Sequence, residues 1–294
     1  MTSSRIGLLG SNIGTSLSPT LHRAEAAATG LLNYRYELLD LEPLHRSPSE
    51  AAVVLREARD RGFTGFNVTH PCKQTVMAGL DALQPEAEAL GAVNTVVVQP
   101  DGGLVGYNTD RSGFLAALRS GLPDVELADV VLIGAGGAGA AVAHALADAG
   151  VERLVITDVV AERAAVLAEK VVHQHPGTRA EGVGAGRASA QVATARGVVN
   201  ASPVGMEGFP GRPFDVEVLD PQHWVADIVY RPMRTELLKA ASRLGCRTLD
   251  GAQMLVAQAA DTFALLTRTM PDRDRMRRHL DDVLAGRAAS ALSN

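Results

Sequence analysis

Apolar residues fall along this chain in short blocks whose spacing alternates between two periods. Ile6–Leu9, Tyr34–Leu41 and Gly65–Thr69 are apolar-rich runs of strand length. Between them, Pro19–Thr29 and Pro48–Arg61 place apolar residues at helical spacing, each with a proline near its start, where a missing N–H costs nothing. Such alternation predicts an α/β fold with a mainly parallel sheet covered by helices on both faces. Ala92–Val98 and Leu104–Tyr107 flank the turn-forming run Gln99-Pro-Asp-Gly-Gly103 and predict a hairpin. A helix from Asp110 to Ser120 ends at Gly121, a good C-terminal stop.

A new unit begins after Leu122-Pro-Asp124. Val130–Ile133 is uninterruptedly apolar, as suits a parallel strand buried on both faces. A helix Ala138–Ala149 stopping at Gly150, a strand Leu154–Thr157 and a helix Ala161–Val172 follow. Gly197–Ala201 and Val225–Val229 read as later strands, Thr235–Leu244 as a helix, and Gly251–Thr269 and Arg273–Ala285 as closing helices. Arg179–Gly186 holds too much glycine for a definite strand, and Gly182-Val-Gly184-Ala-Gly186 reads as an irregular loop or a poor strand.

Composition narrows the functional classes. The 294 residues suggest two domains, and 46% hydrophobic with 21% charged residues describes a globular chain with a sizeable core. A net charge of −5 and 4% aromatics argue against a nucleic-acid partner, which rewards a concentrated basic surface. Cys72 and Cys246 are too few for a disulfide framework or a cysteine metal site, so a reducing compartment is expected. The opening Met1–Gly10 has too short an apolar stretch for a signal peptide. Val130–Ala147 runs without a charge for 18 residues, the length of a membrane span, but four glycines in its middle read as a strand-to-helix turn. The expectation is therefore a cytoplasmic protein without membrane or nucleic-acid partners, acting on a small molecule, with a homodimer left open.

That glycine turn is the first piece of chemistry. Gly134-Ala-Gly136-Gly137-Ala138-Gly139 places G-x-G-x-x-G directly between a strand and a helix. The three motif glycines suit a tight turn, close approach of pyrophosphate to the backbone, and close helix–strand packing. The helix N-terminus then offers unpaired N–H groups to phosphates. Alone the pattern is weak, and a purely structural turn is the alternative. The next strand ends at Asp158, 19 residues after Gly139, where a carboxylate suits the adenosine ribose. It accepts from the free 2′-hydroxyl of NAD and repels the 2′-phosphate of NADP. Unit charges about 4 Å apart at an effective dielectric of about 20 repel by roughly 4 kcal/mol. Arg163 partly offsets that repulsion or is simply a solvated helix charge. NAD is expected ahead of NADP.

A second constellation lies in the first half. Ser16-Leu-Ser18-Pro19, Asn67-Val-Thr69-His-Pro71-Cys-Lys73, Asn94 and Asn108-Thr-Asp110 form a polar set at strand-to-loop junctions, where open α/β sheets usually hold ligands. Gln258 sits in the otherwise apolar run Met254-Leu-Val-Ala-Gln-Ala-Ala260 and faces either a polar partner or solvent.

Together these motifs resemble the shikimate/quinate dehydrogenase family along essentially the whole chain. The resemblance rests on Ser16–His22, Phe66–Lys73, Gly91–Thr95, Gly106–Asp110, the glycine loop, Asn200-Ala-Ser-Pro-Val-Gly-Met206 and Leu249-Asp-Gly251 to Gln258. It implies a substrate domain, 1–121, completed by C-terminal helices within 251–294, and a Rossmann NAD-binding domain, 122–250, with a cleft between them. It also implies NAD-linked reversible oxidation of a ring hydroxyl of shikimate or quinate to the 3-dehydro ketone, within shikimate-pathway or quinate metabolism. By this resemblance Lys73 is the catalytic acid/base and Asp110 its partner, while Ser16, Ser18, Thr69, Asn94 and Gln258 bind substrate hydroxyls and carboxylate. Ser202, Pro203, Val229 and Gly251 form part of the wall around the nicotinamide. Thr15 and Leu17 depart from many members. Asp158 stands where NADP users carry basic or small polar residues, which favours the NAD-using quinate/shikimate type. The alternatives are an NADP-preferring biosynthetic shikimate dehydrogenase, an aminoshikimate dehydrogenase, and a non-catalytic dinucleotide-binding paralogue.

The proton chemistry supports those roles independently. Hydride loss from a carbinol requires loss of the hydroxyl proton, and a lysine accepts a proton only when neutral. Free lysine titrates at about 10.4, so such a lysine needs a shielded pocket. The plainer alternative makes Lys73 a surface charge at a helix start and Asp110 an N-cap. Ser18 before Pro19 is likewise either a binder or a cap. Tyr230 either reaches the substrate or packs internally. His70 is expected to be structural, Cys72 inert, and His173-Gln-His175 too splayed on a helix to bind metal, so no metal site is expected.

Overall fold

The computed structural model describes residues 4–286, so the ends of the expected first domain, 1–3 and 287–294, lie outside the described residues. In chain order the first part holds β1 (Ser4–Gly10), α1 (Ser18–Ala28), β2 (Tyr34–Asp40), α2 (Ala51–Asp60) and β3 (Gly65–Val68). It continues with β4 (Ala82–Leu83), α3 (Pro85–Leu90), β5 (Thr95–Val98) and β6 (Leu104–Tyr107). Then come α4 (Asp110–Gly121), β7 (Asp129–Ile133), α5 (Gly137–Ala149), β8 (Arg153–Asp158), α6 (Ala161–Gln174) and β9 (Arg179–Gly184). The chain closes with α7 (Ala188–Val192), β10 (Gly197–Asn200), β11 (Trp224–Asp227), α8 (Glu236–Arg243), β12 (Arg247–Leu249), α9 (Gly251–Thr267) and α10 (Arg273–Leu284).

Two compact units result, residues 1–109 with 258–294, and residues 110–257. These bounds differ from the 121 and 251 expected from the sequence. By its contacts α4 groups with the second unit, where it lies along α5 and Arg111 forks onto Asp148 at 2.6 and 2.7 Å. The first turns of α9 group there too.

The first unit's sheet has the order β2-β1-β3-β5-β6-β4. β1 pairs in parallel with β2 and β3, β5 is antiparallel to β3 and β6, and β4 is parallel to β6. One face packs Leu9, Phe66, Val68 and Val96 against Val54, Leu55 and Ala58 of α2. The other gathers Ile6, Leu8, Ile13 and Tyr36 against Leu266 of α9. The expected hairpin forms as β5–β6. β4 and α3 are additions to the sequence reading; Pro85 opens α3, and Gly91 at φ +64° closes it.

The second unit's sheet is parallel throughout, in the order β12-β11-β10-β7-β8-β9. Val131, Val155, Val198 and Val225 are buried in one core with Leu237, Leu238 and Ala241 of α8. Arg179–Gly184, glycine-rich for a strand, is nonetheless the regular edge strand β9. Its glycine content has a packing cause. A Cβ on Gly182 would lie 2.2 Å from the Ala165 nitrogen, so only glycine lets α6 close onto this strand.

α8 and α10 are capped as their sequences suggest, by Thr235 onto Leu238 N–H and by Asp272 onto Arg275 N–H. Among the described residues, no helix is long and apolar enough to cross a membrane, and the 130–147 stretch divides into β7, the glycine turn and most of α5.

Candidate active site

Strand register in the first unit brings the predicted polar residues to one sheet edge. Leu9 pairs with Val68, Asn67 with Thr95, and Thr95 with Tyr107. The residues just beyond these positions, on the loops after β1, β3 and β6 and before β5, therefore lie side by side. They include Thr69, Asn94 and Asn108. The loops are stitched together through the backbone: Thr69 N–H donates to Leu9 O at 2.9 Å and Ser11 N–H to His70 O at 3.2 Å.

Ser16 and Ser18, both half-buried, sit where the β1 loop enters α1. No side chain caps α1; instead Ser16 Oγ accepts the Ser18 N–H at 3.3 Å. The capping role open for Ser18 is thus not the one its side chain takes.

Asn94 is 3% exposed and bonded on both sides of its amide. Its Oδ1 accepts the Thr109 N–H and the Thr95 hydroxyl, each at 2.9 Å, and its Nδ2 donates to Thr109 Oγ1 at 2.9 Å. Thr109 Oγ1 reaches Gln258 O at 3.2 Å and Thr262 Oγ1 at 2.9 Å, tying Asn94 to α9 beside the half-buried Gln258.

Lys73 is half-buried, and its carbonyl accepts the Val93 N–H at 2.8 Å, one residue from Asn94. It was expected at a helix start. The structure instead gives a turn followed by a short 3-10 segment, Thr75–Gly79, whose last glycine presses against Ala52 of α2. Asp110 follows Thr109 as the first residue of α4 and is 5% exposed. Cys72 is buried and its thiol is pushed up to about 11 by desolvation, which keeps it protonated and inert. His70 is exposed.

The second unit arranges its predicted residues likewise along the carboxyl edge of its sheet. Gly134, at φ +104°, makes the turn after β7, and a Cβ there would also strike Ala201 O at 2.8 Å. A Cβ on Gly139 would sit 2.0 Å from Gly134 O, so this glycine sets the helix–strand distance. Gly136 is different: nothing lies within 4 Å of where its Cβ would be. The glycine that needs no room for the protein itself is the one expected to face pyrophosphate. No side chain caps α5, which leaves the N–H groups of its first turn, around Gly137 and Ala138, for an anion. The residues present fit a dinucleotide.

Asp158 ends β8. Its Oδ2 accepts the Ala135 N–H at 2.7 Å and its Oδ1 the Val160 N–H at 2.9 Å. Each oxygen keeps capacity for a further donor, as two ribose hydroxyls require. Arg163 is exposed on the first turn of α6.

Ser202 and Pro203 lie on the loop after β10. Val229, expected at a strand end, lies beyond β11, because Asp227 Oδ1 accepts the Val229 N–H at 3.0 Å and turns the chain. Gly251 opens α9 so close to the Ile228 and Val229 carbonyls that a Cβ would lie 2.4 and 2.7 Å from them. Tyr230 is half-buried, and its hydroxyl is pushed to a higher pKa by desolvation.

With this geometry in place, similarity to known proteins becomes specific. A model described as the shikimate dehydrogenase substrate binding domain matches residues 8–96. A shikimate dehydrogenase (NADP(+)) of Streptomyces avermitilis is 50% identical over 284 residues, 97% of each chain. The chain belongs to the shikimate/quinate dehydrogenase family. A quinate/shikimate dehydrogenase (NAD(+)) of Corynebacterium efficiens is 45% identical over 272 residues, 92% of this chain and 95% of that one. The solved quinate dehydrogenase from Corynebacterium glutamicum in complex with NAD matches at a TM-score of 0.89 and 43% identity, over 95% of this chain and 99% of that one. Named relatives thus divide between the two dinucleotides.

Three residues given no role from the sequence belong to these loops. Asn67 is 6% exposed and its Oδ1 accepts from Tyr36 Oη at 2.7 Å; its place at the head of the Asn67–Lys73 motif was the available signal. Asp40, at the end of β2, accepts the Asn12 and Ile13 N–H groups at 2.9 Å each and so pins the loop that carries Ser16. Asp227 anchors the loops after β10 and β11. Of the His173–His175 pair, His173 is exposed on α6, and His175, just past the end of that helix, meets His144 Nδ1 through its Nε2 at 3.0 Å. Among the described residues no cluster of three or more His, Cys, Asp or Glu side chains is placed to hold a metal.

Proposed function

We propose that this chain is an NAD-preferring dehydrogenase that reversibly oxidises a ring hydroxyl of shikimate or quinate to the 3-dehydro ketone. The observation that carries the reading is the row of polar side chains on the first unit's sheet edge beside Lys73. Ser16 and Ser18 offer hydroxyl donors to a carboxylate without a permanent counter-charge. Thr69, Asn94 and Gln258 suit ring hydroxyls, with Asn67 beside them. On the second unit the backbone around Gly134–Gly139 would hold the pyrophosphate, Asp158 the adenosine ribose, and Ser202, Pro203, Val229 and Gly251 the nicotinamide. The bound dinucleotide supplies the acceptor, or in reverse the donor, of a hydride at the reacting carbon.

The chain's own residues manage the proton. As the carbinol C–H electron pair departs, Lys73 in its neutral form takes the hydroxyl proton and the carbon–oxygen double bond forms. In the reverse direction its ammonium returns that proton to the carbonyl oxygen. Asp110, buried at the start of α4, is the lysine's partner in that proton transfer. Asn94 holds Thr109, the residue before Asp110, through its two bonds at 2.9 Å and thereby fixes where α4 begins.

Asp158 supports NAD over NADP, because a carboxylate oriented by two backbone N–H groups meets a 2′-phosphate with like charge. The NADP reading draws on the exposed Arg163 and on the name of the Streptomyces relative. The test is formation of reduced nicotinamide when enzyme, NAD and either ring acid are mixed. Turnover that is lost in Lys73→Ala supports the reading; no turnover with either acid and either dinucleotide contradicts it.

A further inference from the structure

The second unit contains a buried carboxylate with no place in the hydride or proton steps. Asp227, at the end of β11, is 1% exposed. Its Oδ1 accepts from Asn200 Nδ2 and from the Val229 N–H, both at 3.0 Å, and its Oδ2 accepts from Thr235 Oγ1 at 2.7 Å. Asn200, fully buried at the end of β10, passes the constraint on. Its Oδ1 accepts the Ser202 N–H at 3.1 Å and the Ser202 hydroxyl at 2.6 Å, and its Nδ2 also donates to Val204 O at 3.0 Å. One carboxylate therefore grips two loops, Ser202–Met206 through Asn200 and the Val229 turn directly. Glu207 N–H donating to Arg231 O at 3.0 Å ties the same loops further out.

We propose that Asp227 is the positioning residue that sets the two nicotinamide-facing loops in register for the dinucleotide. The proposal rests on the reading that these loops face the nicotinamide. A merely structural carboxylate in a parallel sheet is a poor investment, because burying a charge costs more than an apolar residue of similar size. The return here is geometric: three neutral donors converge on it, and two of them belong to backbone or side chains that shape the loops. Burial pushes the carboxyl up to about 6, while the three donors pull it back down. The charged side chains on the packed elements do not offset this. Glu207 and Arg231 pair with each other at 3.7 Å, Arg234, Glu236 and Lys239 around the start of α8 are exposed, and the half-buried Asp250 just past β12 accepts the Ala252 N–H at 3.1 Å. On acidification the neutral carboxyl accepts more weakly from the Asn200 Nδ2–H and the Val229 N–H, so its hold on the two loops weakens as pH falls through about 6.

The experiment is calorimetric titration of the whole enzyme with NAD across pH, with KM for the ring acid and Tm measured alongside. Asp227→Asn is expected to weaken NAD binding at least tenfold at neutral pH and to abolish the acid-side weakening of the wild type, with KM for the ring acid within threefold. Ser202→Ala, at a half-exposed position where folding is not at stake, is expected to weaken NAD binding about threefold in the same sense. Pro203→Glu, on the exposed part of the loop, checks the underlying reading. If Pro203→Glu leaves NAD binding unchanged, the loops do not face the dinucleotide and both the reading and the proposal fall. If it weakens binding while Asp227→Asn and Ser202→Ala stay within twofold of wild type, the positioning proposal alone is overturned. If Asp227→Asn does not fold, the Ser202→Ala result and the wild-type pH dependence decide by the same criteria.

Discussion

Asp158 Oδ2 accepts the backbone N–H of Ala135 at 2.7 Å, so the carboxylate read as the ribose acceptor also braces the first turn of the glycine loop. Sequence spacing points to a ligand contact; the structure adds a structural bond to the same carboxylate. A substitution there acts on two links at once.

Asp158→Ser is expected to raise the ratio of kcat/KM for NADP to that for NAD by about tenfold to a hundredfold. The carboxylate–phosphate repulsion of roughly 4 kcal/mol is an upper figure before solvent screening, and each 1.4 kcal/mol or so is about tenfold. Activity with NAD should fall as well, because the Ala135 N–H loses its acceptor. Steady-state kinetics with both dinucleotides measure this, and an unchanged ratio removes Asp158 from cofactor choice.

Lys73→Ala should lower kcat by roughly 10²–10⁴ with little change in KM, as for loss of a group acting on the proton in the transition state. Circular dichroism should match the wild type, since Lys73 is half-buried in a turn. A variant with full turnover would leave the proton without its acceptor and end this mechanism.

The glycine loop separates packing from ligand contact. Gly136→Ala has open space and should keep Tm while raising KM for the dinucleotide several-fold. Gly139→Ala drives a methyl to 2.0 Å from Gly134 O and should lower stability by at least roughly 1–3 kcal/mol. Thermal melts and dinucleotide titrations of the pair should therefore diverge; equal behaviour contradicts the assigned division.

How much of this was legible follows from which signals are local. The glycine loop and Asp158 stand at a fixed spacing across one strand–helix–strand unit, so one-dimensional pattern sufficed. The Asn67–Lys73 motif was equally plain, although the turn around Lys73 was not, because the press of Gly79 on Ala52 is a tertiary contact. Asp40 is a single carboxylate at a strand end that nothing near it in sequence distinguishes from a surface charge, whereas Asp227 stands inside the apolar run Val225–Val229, which signals burial but not its partners. Their long-range partners lie at Asn200 and at Asn12 and Ile13, adjacent only once the strands pair. β9 was obscured because its glycines, demanded by α6, erase the apolar pattern of a strand.

Two buried histidines make stability fall on the acid side. Burial pushes His22 down to about 3 and His144 down to about 4, so both are neutral in the folded protein well below the ordinary value near 6.5. Their contribution is present in full above about pH 6.5 and is lost as pH falls towards 4, where the unfolded chain takes up protons that the folded one refuses. Tm is expected to drop by at least roughly 4 °C between pH 7 and pH 5. His144→Asn, though less stable overall, should show a shallower slope. A flat wild-type Tm over that interval contradicts the buried neutral state.

The most direct measurement is kcat/KM of the wild-type enzyme for shikimate and for quinate, each with NAD and with NADP. The account predicts turnover of at least one ring acid with kcat/KM higher for NAD than for NADP. Turnover confined to NADP would contradict the role given to Asp158, and no turnover in any of the four combinations would contradict the dehydrogenase reading itself.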